Sequence, residues 1–143
     1  DGSCTPVNPG GTAACGAVIF HNKTRVWETS EIYNPPPGKE TETSNNIAEY
    51  LGFISVLKQL QHNWDTYEPT KIFGDSKLVI MQMAGLWRIK AGLYAPFALD
   101  ARTMMLTFRQ PPTLHWIPRE KNTIADELSK KHLLNLGSIG KSK

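Results

Sequence analysis

The order of the apolar segments limits the fold classes that this chain can adopt. Two neighbouring strand-like segments come first, and helices then alternate with single strands. The first two strands are predicted at Thr12–Phe20 and Arg25–Ile32, where small, β-branched and alternating residues predominate. Three prolines in the following loop, Tyr33–Ser44, exclude both helix and sheet pairing there. Strands and helices in this order form a sheet covered by helices. The pattern therefore predicts an α/β fold with a mixed sheet.

The remaining segments predict further helices and two short strands. Helical spacing places the helices at Asn45–His62, Lys77–Gly85, Phe97–Phe108 and Thr123–Leu136. The strands are predicted at Thr70–Ser76 and Pro112–Pro118. Ser44 or Asn45 is the expected cap of the first helix, and Ser76 that of the second.

One element is missing from this order. A sheet of this type needs a strand that leads into Asp1, and the sequence shows none before that residue. We therefore expect that the functional protein extends further upstream, or that the strand comes from elsewhere.

Length and composition indicate one ordinary domain. With 143 residues, 40% of them hydrophobic, the chain is long enough for a single core. The domain is predicted at residues 1–136, with a flexible tail at 137–143. The net charge of +3 permits a nucleic-acid partner without establishing one, and the apolar runs are too short to span a membrane. Two cysteines are too few for a disulfide scaffold, which favours a reducing cytoplasm.

Three acidic residues are candidates for function, each with an ordinary alternative. Glu49 falls on the apolar side of the first helix, although a partly exposed acid at a helix start explains it equally well. Asp75 directly follows a buried strand, where sites gather in α/β sheets, but turn aspartates before helices are commoner. Asp126 precedes Lys130 by four residues, so a solvated ion pair is its usual explanation.

Together with Asp1, these acids lie at strand ends or in the opening parts of helices. Four carboxylates at one place repel each other unless divalent cations lie between them. Oxygen ligands alone favour Mg²⁺ or Mn²⁺. The sequence has no Cys/His cluster typical of zinc, no phosphate-binding loop and no dinucleotide fingerprint.

Five segments occur in a characteristic order over nearly the whole chain: DGSC, NPGG, SNNIAEYLGFISVL, GDSKLVI and HWIPREKNTIADELS. Together they resemble type 1 ribonuclease H, most closely its compact archaeal, bacterial and plant-like branch. The resemblance implies a ribonuclease H-like fold: a five-stranded mixed sheet of order 3-2-1-4-5, flanked by helices, with its first strand truncated here. It also implies hydrolysis of the RNA strand of RNA/DNA hybrids, which leaves 5′-phosphate and 3′-hydroxyl ends.

The resemblance implies that the family's catalytic acids hold two Mg²⁺ ions, with Mn²⁺ as a substitute, and that they correspond to Asp1, Glu49, Asp75 and Asp126. Asp1 would lie on the central strand, with Gly2 leaving room for substrate. A free amino group on Asp1 would compete with a metal beside it.

The resemblance further implies two surfaces that contact the hybrid. In the minor groove the contacts would come from Cys4, Asn8, Asn45 and Asn46. Helix capping is the alternative for the last two. Near the DNA strand they would come from Trp87, Arg88 and Lys90. A buried core position is an equally good interpretation of the tryptophan.

One departure from the family lies in the loop before Asp126, where many members carry a mobile histidine that assists proton transfer and product release. Here the loop is the short PREKNT, and His115 lies too early, so we interpret it as structural. Arg119 or Glu120 is a candidate for part of the missing role, and Asn122 for fixing the loop. Slower turnover is expected.

Other functions stay open. The chain could be a non-catalytic ribonuclease H-like module, although such modules commonly lose one of the acids. A third alternative is the ribonuclease H domain of a reverse transcriptase or retroelement, with the same chemistry inside a polyprotein. A DNA-cutting relative of the integrase type fits the motifs poorly. We expect a cytoplasmic monomer, alone or as part of a longer polypeptide.

Overall fold

The computed structural model describes residues 1–5, 8, 10–63 and 69–131. Its five strands are β1 (Gly2–Thr5), β2 (Thr12–His21), β3 (Thr24–Ile32), β4 (Lys71–Gly74) and β5 (Thr113–Trp116). The helices are α1 (Asn45–Asn63), α2 (Lys77–Met83), α3 (Ala95–Leu106) and α4, which is helical over 123–131. Single 3₁₀ turns lie at Glu40–Glu42 and Arg119–Lys121. The predicted end of the last helix and the predicted tail at 137–143 lie outside the described residues.

The predicted hairpin is confirmed. Strands β2 and β3 pair antiparallel around a two-residue turn in which Asn22 and Lys23 have φ of 50° and 68°. Two successive positive φ values match the twist of the flanking strands and keep the hairpin tight. Strand β1 pairs antiparallel with the other edge of β2, with Gly2 opposite Cys15.

The predicted helices are confirmed with small shifts at their ends. Ser76 caps α2 as expected, because its Oγ accepts a hydrogen bond from the Val79 amide at 3.2 Å. Helix α3 begins at Ala95, two residues before its predicted start, because Pro96 fits the first turn of a helix. None of the described helices combines the length and apolar character needed to cross a membrane.

Two glycines let helices pack closely on the two faces of the three-stranded sheet. A Cβ on Gly2 would lie 2.3 Å from the Glu49 amide nitrogen in α1. A Cβ on Gly16 would lie 2.3 Å from the Ser129 amide nitrogen in α4. The expectation that Gly2 leaves room for substrate is therefore wrong: this residue is buried, and the space it leaves is filled by α1.

The main core lies between α1, β4, α2 and α3. Tyr50 and Leu57 of α1 are fully buried there, and Ile72 of β4 and Ala101 of α3 pack in the same cluster. Burial of these side chains supplies the main favourable free energy of folding. This packing joins the parallel strands to the helix that carries Glu49.

The predicted strands are all present, but the described residues form two sheets rather than one. The orders are β1-β2-β3, antiparallel throughout, and β4-β5, parallel. Among the described residues, β1 pairs only with β2 and β4 pairs only with β5. A single sheet of order 3-2-1-4-5 stays a prediction.

Candidate metal centre

Three carboxylates from distant parts of the chain meet at one edge of the fold. Asp1 precedes β1, Glu49 lies in the second turn of α1, and Asp75 follows β4. One carboxylate oxygen from each lies within 4.8 Å of the other two, and all three residues are partly buried. We call Asp1, Glu49 and Asp75 the acidic trio. Their convergence confirms the predicted grouping for three of the four acids.

Asp75 is held in place from two sides. Asn122 Nδ2 donates a hydrogen bond to Asp75 Oδ2 at 3.3 Å, and Trp116 Nε1 donates to the Asp75 backbone carbonyl at 3.1 Å. Asn122 immediately precedes α4, and Trp116 ends β5. Trp116 lies just before the PREKNT loop and Asn122 lies within it, so this part of the chain holds Asp75 in place. A role for Asn122 in fixing the loop stays a prediction.

Glu49 is the acid with the clearest electrostatic signature. The pKa of Glu49 is raised from 4.5 to about 7, chiefly by burial and also by the nearby charge of Asp75. The Asp1 amino group, a hydrogen bond from the Gly2 amide and Arg119 oppose this and lower the pKa. Because a carboxylate must be deprotonated to bind a metal ion, a cation at this position would displace the proton of Glu49.

Asp126 lies outside the acidic trio. It lies in the first turns of α4, and its Oδ2 accepts a hydrogen bond from Lys130 Nζ at 3.2 Å, the ion pair that the sequence suggested. It is linked to the trio through Ser129. The Ser129 hydroxyl lies 3.2 Å from Asp1 Oδ2 and 2.7 Å from the Asp126 backbone carbonyl.

Two carboxylate oxygens in this region are buried without a hydrogen-bond partner: Asp1 Oδ1 and Asp126 Oδ1. Buried acceptors of this kind are costly unless a cation or donor satisfies them. The donor set consists of carboxylate oxygens alone, which suits Mg²⁺ or Mn²⁺ and not zinc. The residues present therefore fit a hard divalent cation.

The predicted minor-groove residues lie together near the start of α1. Asn8 Nδ2 donates to Asn45 Oδ1 at 2.9 Å, and the Asn45 amide donates to Asn8 Oδ1 at 3.1 Å. Asn8 thus caps α1 from outside the helix. Cys4 is buried and contacts the carbonyl of Thr43, two residues before Asn45, while Asn46 is partly buried. A contact between these residues and a nucleic acid stays a prediction.

The second predicted surface is exposed. Trp87 is 44% exposed, which excludes the buried core position considered for it. Arg88 and Lys90 are exposed beside it in the segment between α2 and α3. The Gln82 side chain holds this segment in place, because its Nε2 donates a hydrogen bond to the Arg88 carbonyl at 2.9 Å. An aromatic ring beside two cations suits a nucleic-acid strand.

The segment before α4 contains the other predicted residues. Arg119 is exposed and close enough to lower the pKa of Glu49. His115 packs its ring on Phe73, with 5.1 Å between ring centroids, and its Nε2 lies 2.9 Å from Thr113 Oγ1. These contacts agree with the structural interpretation of His115.

A family model described as reverse transcriptase-like matches residues 1–132. The chain belongs to that family. The bifunctional protein Rv2228c of Mycobacterium tuberculosis is 33% identical over 124 residues, a match that covers 85% of this chain and 31% of that protein. The chain therefore corresponds to less than a third of the length of this relative.

Solved structures of ribonucleases H share the fold of this reverse transcriptase-like chain. The N-terminal RNase H domain of Rv2228c, solved as a fusion with maltose-binding protein, has a TM-score of 0.75 at 30% identity, with 92% of each chain covered. LC11-RNase H1, isolated from compost and solved with an RNA/DNA hybrid, has a TM-score of 0.78 at 30% identity, with 92% and 91% covered.

RNase H1 of the archaeon Halobacterium salinarum has a TM-score of 0.77 at 26% identity, with 94% of each chain covered. These likenesses confirm the predicted ribonuclease H-like fold and the resemblance to type 1 ribonuclease H.

Sequence reasoning missed Ser129. This serine is fully buried, and it joins Asp1 to the backbone of Asp126. The sequence carried one usable signal, a small polar residue three positions after an acid on a helix that otherwise buries apolar side chains. Asp1 and Ser129 are too far apart in sequence for local periodicity to connect them.

Proposed function

We propose that this domain hydrolyses the RNA strand of RNA/DNA hybrids, with two divalent cations, and leaves 5′-phosphate and 3′-hydroxyl ends. The observation that carries the proposal is the acidic trio, within 4.8 Å, in a fold shared with ribonucleases H at 26–30% identity. One of those relatives was solved with an RNA/DNA hybrid.

The acidic trio and Asp126 would hold two Mg²⁺ ions, for which Mn²⁺ could substitute. Bound there, the ions would lower the pKa of a nucleophilic water and stabilise charge on the leaving 3′ oxygen. Asp75 keeps its orientation through Asn122, and Asp1 keeps its own through Ser129. Glu49 must release its proton before it can bind a cation, because its pKa is about 7.

The substrate would extend from the metal centre toward both predicted surfaces. The asparagine pair Asn8 and Asn45, with Cys4 and Asn46, would contact 2′-hydroxyls and base edges in the minor groove. Trp87 would stack near the DNA strand, with Arg88 and Lys90 on phosphates, and Arg119 would contact the reacting strand.

We also propose a cytoplasmic location for the domain. Neither Cys4 nor Cys15 is in a disulfide, which agrees with a reducing cytoplasm. We propose that the domain is monomeric, alone or as part of a longer polypeptide. The matched relative is about three times as long as the region that it shares with this chain. A ribonuclease H domain within a retroelement protein would use the same site.

The test is a cleavage assay on labelled RNA/DNA hybrid, with Mg²⁺, with Mn²⁺ and with chelator. We expect cleavage that needs the metal and is lost in Asp75→Asn, whereas Asp100→Asn, a matched change on the exposed face of α3, keeps it. The masses of the shortest fragments identify their ends. Tight binding of hybrid without cleavage in either metal would favour a non-catalytic module instead.

A further inference from the structure

A buried glutamine joins three parts of the fold. Gln82 lies near the end of α2 and is only 1% exposed. Its Oε1 accepts a hydrogen bond from the Tyr50 hydroxyl of α1 at 2.5 Å. Its Nε2 donates to the Arg88 carbonyl at 2.9 Å and to the Tyr94 hydroxyl at 3.2 Å. A buried side-chain amide is costly unless its polar atoms are paired, and both are paired here.

The partners of Gln82 determine which way its amide points. The Arg88 carbonyl can only accept a hydrogen bond, so the amide nitrogen faces it and the amide oxygen faces Tyr50. Among side chains of similar size, glutamine alone offers two donors together with an acceptor. The chemistry of this position is therefore specific to glutamine.

The segment that joins α2 to α3 has no regular structure of its own. Residues 84–94 are all described and contain no helix or strand. Their first part is held by Met81, whose carbonyl accepts from the Leu86 amide at 2.9 Å and from the Trp87 amide at 3.1 Å. Beyond Trp87 the backbone is held by side chains instead, and Gln82 is one of them.

Gln82 and Tyr94 bond the backbone on the two sides of Ile89. Gln82 bonds the Arg88 carbonyl, and the Tyr94 hydroxyl accepts from the Lys90 amide at 3.0 Å. Ile89 is half-buried against the main core, whereas Arg88 and Lys90 are exposed. The two cationic side chains are therefore exposed on a backbone that is fixed from the core side.

We infer, on the basis of the proposed function, that Gln82 is a positioning residue for the substrate: it holds the 87–90 segment in the conformation in which this segment contacts the DNA strand. Side chains that are ordered before binding lose less conformational entropy when they contact their partner. Because Tyr50 follows Glu49 in α1, Gln82 also joins the 87–90 segment to the helix that carries a metal ligand.

The experiment measures the Kd for RNA/DNA hybrid in chelator, and KM and kcat in Mg²⁺, for the wild type and for Gln82→Leu. Leucine is close to glutamine in size and forms no hydrogen bonds. We expect Kd and KM to rise at least about fivefold, because the contacts of the 87–90 segment lose their preformed geometry. The value of kcat should stay within about twofold, since the acidic trio is intact.

Gln61→Leu is the matched control. Gln61 of α1 also donates from its side-chain amide to a backbone carbonyl, that of Met104, at 3.2 Å. Met104 lies near the end of α3, whereas Tyr94 lies before its start. Gln61→Leu should therefore leave KM and Kd unchanged, even if its Tm falls as far as that of Gln82→Leu.

The triple variant Trp87→Ala, Arg88→Ala, Lys90→Ala tests whether Gln82 acts through this exposed surface. In that background Gln82→Leu should change Kd by less than about twofold, because the side chains that it positions are gone. The full fivefold effect in the triple variant would overturn the inference.

Tyr94→Phe is a second variant, for the case in which Gln82→Leu does not fold. It removes the hydroxyl that bonds both Gln82 and the Lys90 amide, and it should raise Kd and KM in the same way. Wild-type values of Kd and KM in Gln82→Leu or in Tyr94→Phe would overturn this inference alone. A wild-type chain that neither binds nor cleaves the hybrid would overturn the proposed function, and the inference with it.

Discussion

Glu49 and Asp126 were predicted to serve the same metal site, yet they lie in contrasting surroundings. Glu49 is partly buried beside two other carboxylates, and burial is the main cause that raises its pKa to about 7. Asp126 forms an ion pair with Lys130 at 3.2 Å, and 24% of its side chain is exposed. Among the described residues, no salt bridge neutralises the acidic trio. The comparison shows that carboxylate charge without a neighbouring lysine is concentrated at the trio, whereas Lys130 compensates part of the charge on Asp126.

The largest expected difference is in catalysis. Replacing Asp75 or Glu49 by the matching amide should reduce hybrid cleavage by more than the roughly 100-fold that marks the loss of a supporting contact in a metal site. Asp126→Asn should cost less, because Asp126 lies outside the trio. Single-turnover cleavage rates of the three variants give the ranking. If Asp126→Asn lowers the cleavage rate as much as Asp75→Asn does, Asp126 is as important for catalysis as the acidic trio, and the distinction drawn here is wrong.

The second prediction concerns stability and pH in the absence of metal. Because the folded-state pKa of Glu49 is raised from 4.5 to about 7, the folded protein binds more protons than the unfolded chain between these values. Stability should therefore fall as pH rises from 4.5 to 7, by at most about 1.4 kcal/mol per pH unit, and level off above. In chelator, Glu49→Gln should lose this slope, whereas Glu127→Gln, an exposed matched control on α4, should keep it. Urea unfolding at several pH values in this range measures the free energy of unfolding. If its pH dependence in Glu49→Gln equals that of the wild type, the pKa of Glu49 is not the cause.

A smaller effect on metal binding is expected when Ser129 of α4, beside Asp1, is replaced. Ser129→Ala removes the hydroxyl that lies beside Asp1 Oδ2 and should weaken Mn²⁺ binding about tenfold, as loss of an orienting contact does. Ser55→Ala, whose hydroxyl bonds Glu31 away from the site, is the matched control. If the two variants bind Mn²⁺ equally well, Ser129 has no role in positioning Asp1.

The smallest effect should come from Lys130. This side chain is 46% exposed, so Lys130→Met should change stability by less than about 1 kcal/mol. It should strengthen Mn²⁺ binding slightly, because the ammonium no longer competes for Asp126 Oδ2. Weaker binding in this variant would mean that the lysine supports the site rather than opposing it.

Local pattern was enough to predict the hairpin, α1 and the Ser76 cap, since each depends on residues close together in sequence. The grouping of Asp1, Glu49 and Asp75 followed from their positions at strand ends and helix starts. The separation of Asp126, the link through Ser129 and the tight fit of Gly2 against α1 depend on contacts between distant segments. Periodicity carries no information about such contacts, so these three features emerged only from the fold.

The central claim is that the acidic trio binds a divalent cation, and direct titration with Mn²⁺ tests it without reference to cleavage. Calorimetry at pH 8, where Glu49 is ionised, should show binding to the wild-type chain that is lost in Asp75→Asn and in Glu49→Gln and kept in Asp100→Asn. Equal Mn²⁺ affinity in all four proteins would contradict the account.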